Sequence, residues 1–547
     1  MSQVSFRAAS DPKALFDVYY LAAKELSGPV TGRVIAEQET KHHLEDKNEY
    51  GGPEAFYLED VETGKVVSGA VVRRFKGFYR ASDRPQAISS VPDPDLLGVK
   101  TVTFLTIGYV STAREYRGKG FAQRLLQEVI SYTEEKILKE ELDRSDPAKK
   151  DSLKNMVVID GEIDPQLARY YLGKKYYWVL YSSVGRYYEK FGFKPYPLNF
   201  YKVPISLLSS TKEETISKLV ANSQQNSIQT LQDGRTVRFL HADKPDDLNL
   251  IQFIFNAKEL EIVTDLNKLT FHSELSGSRR SSSSLTDMPT VLRASKSGSF
   301  NALSTIVSNN PSSTTQLQQG RNSSIHEIAI PKVAIKPDYK HFIRSVTTDR
   351  KNVTASSADK ATSDYLASIS GAVLTNPNSQ KSYFVLWSTM HQNRLYIVGM
   401  GELHTDILGS MLDPLGRGGS RSRRNSSFAG VEGLEGYNFA DLDFLISLTC
   451  YFGKNYNLDA DGVYVSTNDL PTNIPEPVIH DYYLQYLPTT YETVSSPDDA
   501  TKPPNTRVQF LTNCESKLSF LPMLKKFGTN SNEFDIDWYA NGIGSFF

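Results

Sequence analysis

Cysteine is almost absent from this chain. Cys450 and Cys514 are the two among 547 residues, which excludes a disulfide scaffold and a cysteine-rich zinc site. No stretch approaches 18 consecutive apolar residues, so no membrane span is expected. Neither sign of charge dominates. The 61 Lys and Arg balance 63 Asp and Glu to a net -2, whereas a dedicated nucleic-acid binder is usually basic. The amino terminus MSQVSFRAASDPKALF lacks the apolar core of a secretion signal, and neither residue 2 nor the ending GIGSFF carries a lipidation signal. These absences point to a reducing, cytoplasmic compartment. His42-His43 and the other histidines show no metal-ligand spacing, so no metal is expected, and the Asn-x-Ser/Thr triplets would go unused. What the chain does have is a 39% hydrophobic fraction, enough for a real core, and length for about three or four domains.

The first two hundred residues read as a compact α/β unit. Ser10 or Asp11 can cap a helix through Ala14, Leu15, Val18 and Leu21. Ala55–Leu58 and Val66–Phe75 are β-rich runs flanking Glu62-Thr63-Gly64-Lys65, a hairpin pattern. A Pro-rich loop spans 84–94. TVTFLTIGYV, residues 101–110, predicts a strand buried on both faces. A helix follows from Gly118-Lys119-Gly120, with Phe121, Ala122, Leu125, Leu126, Val129 and Ile130 as its apolar positions. YYWVLYSSV, residues 176–184, is a further strand; GRYYEKFGF predicts a short helix, and Lys194-Pro195 a turn.

The division expected from composition is a first domain over 1–205 and a second over 206–547. Two polar inserts, 276–325 and 409–436, interrupt the second and are compositionally suited to disorder. Between and after them, 383–387 and 395–399 predict a hairpin turning at His391-Gln392-Asn393, 439–452 a helix and 463–465 a strand. That order repeats the amino half, so the second domain is α/β and reads as a degenerate copy lacking a glycine loop. Within the inserts, Arg-Ser runs before Ser281, Ser323 and Ser426 suit basophilic kinases or are chance features of Ser/Arg-rich loops.

The densest chemistry lies in GYVSTAREYRGKGFAQRLLQEVI, residues 108–130. A strand passing through small residues directly into a helix creates an anion site, because the first helical N–H groups and the macrodipole face the ligand. The loop is not a Walker A motif, since no Ser or Thr follows Gly-Lys, and the third glycine of a dinucleotide fingerprint is missing. It does resemble the acetyl-CoA signature Gln/Arg-x-x-Gly-x-Gly/Ala of the GCN5-related N-acetyltransferases, with Arg117, Gly120 and Ala122 in the fixed places. An aromatic helix ending in Gly-Phe, a second feature of that family, matches Tyr187-Tyr188-Glu189-Lys190-Phe191-Gly192-Phe193.

This resemblance implies a mixed central sheet flanked by helices and acetyl-CoA as co-substrate. Tyr109, Val110, Arg117, Gly118, Lys119, Gly120, Phe121 and Ala122 would hold it, with a backbone N–H at Tyr109 or Val110 facing the thioester oxygen. It implies Tyr188 as general acid toward the leaving thiolate. Helical spacing places Tyr187 and Phe191 inward and Tyr188 on another side, toward the cleft, with core packing as the competing reading. Many members carry a glutamate base on the strand corresponding to 101–107; here that strand offers Thr101, Thr103 and Thr106, so a water or a carboxylate from elsewhere must serve.

LYSSVGRYYEKFGFKPY and the ending EFDIDWYANG further resemble the fungal lysine N6-acetyltransferases of lysine catabolism, implying the side-chain amine of free lysine as acceptor. A protein lysine, a polyamine, or a CoA-binding regulatory protein without catalysis are the alternatives. No nucleic-acid or membrane partner is expected. Strand alternation in Phe534-Asp535-Ile536-Asp537-Trp538 would turn Asp535 and Asp537 to one face, either as an ammonium site or as a solvated surface.

Overall fold

The computed structural model describes residues 3–46, 52–81, 98–143, 158–159, 162–163, 172–272, 330–352, 360–389, 394–403, 439–456, 458, 462–471, 474–488, 507–514 and 520–546. The Pro-rich loop at 84–94, both inserts, the turn at His391-Gln392-Asn393 and the three kinase-type serines lie outside these residues. The protein is mixed α/β, with two mixed sheets covered by helices.

Along the first half run β1 (Val4–Ala8), α1 (Pro12–Glu45), β2 (Glu54–Asp60), β3 (Val66–Arg80), β4 (Val99–Thr112) and α2 (Phe121–Asp143). The two-residue strands β5 (Val158–Ile159) and β6 (Glu162–Ile163) pair with each other. Then come β7 (Tyr176–Ser182), β8 (Lys194–Pro195) and β9 (Leu198–Pro204). Asp11, not Ser10, caps α1: its Oδ1 accepts from the Lys13 and Ala14 amides at 3.0 and 2.9 Å. The helix breaks at Gly28, whose φ of 78° is left-handed, just before Pro29, which has no N–H to continue the ladder. The predicted β2–β3 hairpin forms, and its turn is held by Asp60 Oδ1 accepting from Glu62 and Thr63.

The second half holds α3 (Ser210–Ser223), β10 (Ile228–Thr230), β11 (Thr236–His241), α4 (Pro245–His272), β12 (Lys332–Ile335), α5 (Tyr339–Asn352) and α6 (Lys360–Ser368). It continues with β13 (Ile369–Asn376), β14 (Lys381–Ser388), β15 (Leu395–Leu403), α7 (Ala440–Asn455) and β16 (Gly462–Ser466). The last elements are α8 (Glu476–Asp481), β17 (Gln509–Cys514), β18 (Leu521–Lys526) and β19 (Asp537–Trp538). The expected hairpin, helix and strand of this half are β14–β15, α7 and β16.

The two sheets follow one plan. In the first, β1 to β4 run antiparallel, β4 pairs parallel with β7 after the α2 crossover, and β7 pairs antiparallel with β18. In the second, β11, β13, β14 and β15 run antiparallel, β15 pairs parallel with β16 after α7, and β16 pairs antiparallel with β9. The halves exchange their final strands: β9 ends at Pro204 yet completes the second sheet, and β18 returns to complete the first. Lys194-Pro195, expected as a turn, is instead the short strand β8 beside β18, because that returning strand offers an edge to pair with.

Each sheet buries one face under its crossover helix. Leu125, Leu126, Val129 and Ile130 of α2 pack on Phe56, Leu105, Ile107 and Trp178. Burial of each such aliphatic side chain is worth about 1.5–3 kcal/mol. In the second half Leu445, Leu448 and Phe452 of α7 pack on Phe239, Val385 and Trp387.

Candidate active site

The site begins as an irregularity in β4. Val71 pairs with Gly108 and Gly69 with Ser111, so Tyr109 and Val110 together stand opposite Ala70 alone. This is a β-bulge, which leaves a residue out of the ladder. Tyr109 takes a φ of 54°, a conformation costing a non-glycine residue about 1–3 kcal/mol. Ser68 anchors the strand beyond the bulge, its Oγ reaching Ser111 O and Thr112 Oγ1 at 2.9 Å each.

On its other edge β4 meets β7 only from Thr103–Tyr176 to Thr106–Val179. Among the described residues the ladder stops there, and the parallel strands part before the bulge. Ile107 and Leu180 face α2, so anything entering between the strands from the α2 side emerges on the opposite face.

β4 then leads into the turn. Arg114–Tyr116 form one turn of 3-10 helix, held by Tyr116 Oη donating to Asp60 at 3.0 Å. Arg117 turns back, donating Nε to Thr112 O at 3.0 Å, while its NH2 pairs with Glu25 at 3.0 Å. Glu25 also receives Arg114, and these hydrogen bonds outweigh the upward push of burial and hold its carboxyl below the ordinary range. Gly118 and Gly120 have φ of 77° and 80°, and a Cβ on either would touch nothing within 4 Å.

The first helical bond of α2 runs from Arg124 N to Gly120 O. Among the described residues the amides of 118–123 donate to no protein acceptor. Open glycine backbone, free amides and the start of a 23-residue helix form a cradle that fits a diphosphate.

The second motif lies against the first. Lys190 Nζ donates to Gln123 Oε1 at 3.2 Å, joining the 187–193 segment to the first turn of α2. The facing expected there is corrected. Gly185–Phe191 is 3-10 helix, three residues per turn, so Tyr188 and Phe191 share the inner face, at 8% and 4% exposure. Tyr187, at 36%, lies outside under Lys190, 4.0 Å from its ring centroid. The Tyr188 ring packs in the α2 core, burial pushes its phenol well above the usual value, and no described group hydrogen-bonds its hydroxyl.

On the face opposite α2, the bulge borders a buried polar cluster. Tyr109 meets Tyr19 edge-on at 4.9 Å, and Arg73 lies 5.7 Å from the Tyr109 ring centroid. Arg73 NH2 donates to Glu39 at 2.5 Å, and Arg344 of α5 approaches Glu39 at 3.6 Å and Asp46 at 3.3 Å. Tyr19 Oη meets His43 Nδ1 at 3.0 Å; burial first, then Arg73, lowers that imidazole to about 4 and keeps it neutral. This cluster was missed in the sequence. Its one signal is Arg73-Arg74 following the apolar run Gly69–Val72 of β3, since charge in a buried strand demands partners.

Tyr109 and Val110 at the bulge and Arg117 to Ala122 at the turn thus lie along one connection from β4 to α2. The Tyr109 ring is on the face opposite α2, the Arg117 side chain is turned back to Thr112 and Glu25, and Tyr188 is packed in the α2 core. Asp535 and Asp537 are not brought there. Asp537 pairs with Lys332 at 3.2 Å beside the Arg80 end of β3, and Asp535 is exposed. Arg80 pairs with Val99, so β4 separates them from the bulge by about 30 Å.

The corresponding place in the second half is filled by the chain itself. β15 and β16 pair only from Leu395–Val463 to Ile397–Val465, and the turn Ile543–Phe546 packs beyond them. Gly544 N donates to Asp469 at 2.9 Å, and a Cβ there would lie 2.0 Å from Val398 O. The first turn of α7 carries Asp441, bound by Arg235 and Asn376, and Asp443, bound by Lys212. Carboxylates there occupy the helix start and repel an anion. No group of three or more metal-ligating side chains occurs among the described residues, and no described helix is long and apolar enough to cross a membrane.

No family model matches the chain, and no curated protein does. Solved structures resemble it weakly. A GCN5-related N-acetyltransferase from Kribbella flavida is 11% identical over 95% of this chain and 71% of that one, with a TM-score of 0.31. The N-myristoyltransferase of Saccharomyces cerevisiae, solved with bound myristoyl-CoA, is 10% identical over 97% and 84%, also at 0.31. A probable N-acyltransferase from Enterococcus faecalis is 9% identical over 46% of this chain, at 0.25, and the match spans 43% of that protein's length. Likeness at this level carries no argument about activity.

Proposed function

We propose that this chain is an acetyl-CoA-dependent N-acetyltransferase of the GCN5-related type, acting on the side-chain amine of lysine. The observation that carries the reading is the junction of the Tyr109 bulge with the Arg117–Ala122 cradle, where β4 parts from β7. The bulge leaves an amide off the ladder at the point where the cradle's ligand would pass through the sheet.

Acetyl-CoA supplies an acyl group already activated as a thioester. The chain's own work is then positioning and proton handling. The amides of 118–123 hold the diphosphate, and the bulge amide donates to the thioester oxygen as negative charge grows there. The amine attacks the acyl carbon, the C–N bond forms, the attacking nitrogen gives its second proton to water, and the C–S bond breaks. Tyr188, kept protonated by burial, gives its proton to the departing thiolate and regains one from solvent. The acceptor ammonium, with a pKa near 10.4, first loses a proton to water, since β4 carries no carboxylate and Glu39 is engaged by Arg73.

The second half supports a reading as a degenerate copy: same strand plan, filled cleft, acidic helix start. The threonines on β4 favour a second functional reading, a CoA-binding regulator without turnover. Thiol release from acetyl-CoA, measured with free lysine, polyamines and a lysine peptide, decides between them. Turnover with lysine supports the proposal. Calorimetric binding of CoA without turnover of any amine supports the regulator, and no binding overturns both.

A further inference from the structure

The cluster opposite α2 has a surplus of donors. Arg73 and Arg344 face Glu39 and Asp46, with His43 neutral, so formal charges balance. Hydrogen bonds do not. Among the described residues, Arg73 Nε and Arg344 Nε and NH2 are buried without a hydrogen-bond partner, Arg344 NH2 lying 3.6 Å from Glu39. Three buried guanidinium nitrogens with no described acceptor are costly, and such groups are normally satisfied by an oxygen acceptor.

Their place matters. Arg73 is the register partner of Thr106, the last β4 residue paired with β7, so it lies one strand spacing, about 4.8 Å, from where the sheet opens. Tyr109 of the bulge covers the same guanidinium. Each arginine side chain as a whole keeps 16% of its surface exposed, while the three nitrogens themselves are buried.

We propose that Arg73 and Arg344 receive the carboxylate of the acceptor, making the substrate a free amino acid rather than a polyamine or a lysine within a protein. A carboxylate brings two oxygens and about four lone pairs to a planar fork of donors, the match that guanidinium groups make best. The amine at the other end of the molecule is then left to reach the opening between β4 and β7. This rests on the transfer reading above, but it concerns a different part of the molecule.

The test compares lysine with 1,5-diaminopentane, the same diamine without the carboxylate, and with lysinamide. The expected result is a kcat/KM for lysine about 10- to 100-fold above both. Arg344→Gln should shrink that ratio at least several-fold, and a ratio within one preparation is insensitive to how much of it has folded. Equal rates for lysine and diaminopentane overturn the inference while leaving acetyl transfer intact. If no amine turns over, the transfer reading fails, and calorimetry with CoA present still decides this one. Heat with lysine and none with diaminopentane supports it; equal heats, or none with either, overturn it.

Discussion

Arg117 donates its Nε to the carbonyl of Thr112, 3.0 Å away at the end of the preceding β-strand, instead of projecting at the space in front of α2. The charge of this residue therefore shapes the turn, and the backbone amides that follow are left to face an anion. Glu25 completes the clamp from α1.

Gly120 is where that arrangement is most exposed to substitution. Its φ of 80° is left-handed, yet a Cβ would have open space, so Gly120→Ala should fold with a loss of about 1–2 kcal/mol. Because the strain is relieved by moving the amides, CoA affinity should fall about tenfold or more. Calorimetric titration beside thermal denaturation checks both, and unchanged affinity would refute the cradle.

Tyr188 and Tyr187 are separable by a single oxygen each. Tyr188→Phe keeps the buried ring, so stability should shift by less than about 1 kcal/mol. If its hydroxyl is the acid, kcat should fall about 10- to 100-fold with KM little changed. The acid works in its protonated form, and burial raises its pKa, so wild-type kcat should show no descending limb from this group below about pH 10. Tyr187→Phe, on the exposed ring, should change neither parameter.

Asp469 should give the folded chain a signature in pH. Burial pushes its carboxyl up to about 6, against the pull of Lys258 and the Gly544 and Ile543 amides. Between about pH 4 and 6 the folded state holds a proton that the unfolded state has released. Stability from this group is therefore full at the acid end and lost as pH rises through 6, by up to about 3 kcal/mol. His241, lowered to about 4 by burial, slopes the other way between 4 and 6.5. Subtracting wild type from Asp469→Asn across this range cancels His241, and a flat difference would contradict the assignment.

The exchange of β9 and β18 should make the two sheets unfold together. Phe193→Ala in the first core and Phe452→Ala in the second, both at fully buried rings, should each cost about 3–5 kcal/mol. Calorimetry should show one transition moving in both variants. Two separating transitions would mean that the exchanged strands couple the halves weakly.

The glycine turn, the strand before it and the helix after it were legible in the residues, because φ restrictions, β-branching and 3.6-residue periodicity are local. The hairpins at 54–80 and 381–403 were legible for the same reason. The facing of Tyr188 was not: α and 3-10 winding differ by less than one residue per turn, and core packing around Phe191 and Phe193 chose between them.

What the amino-acid order determined by itself is the pieces and the anion-binding turn, each set by neighbours a few positions apart. Only the tertiary structure decided that β9 and β18 trade sheets, that Glu39, Arg73 and Arg344 meet beside Tyr109, and that Asp537 spends its charge on Lys332 far from the bulge. Those pairings join residues separated by tens to hundreds of positions. Strand pairing and buried charge are settled by which partner is within reach after the chain has folded, and no local pattern records that.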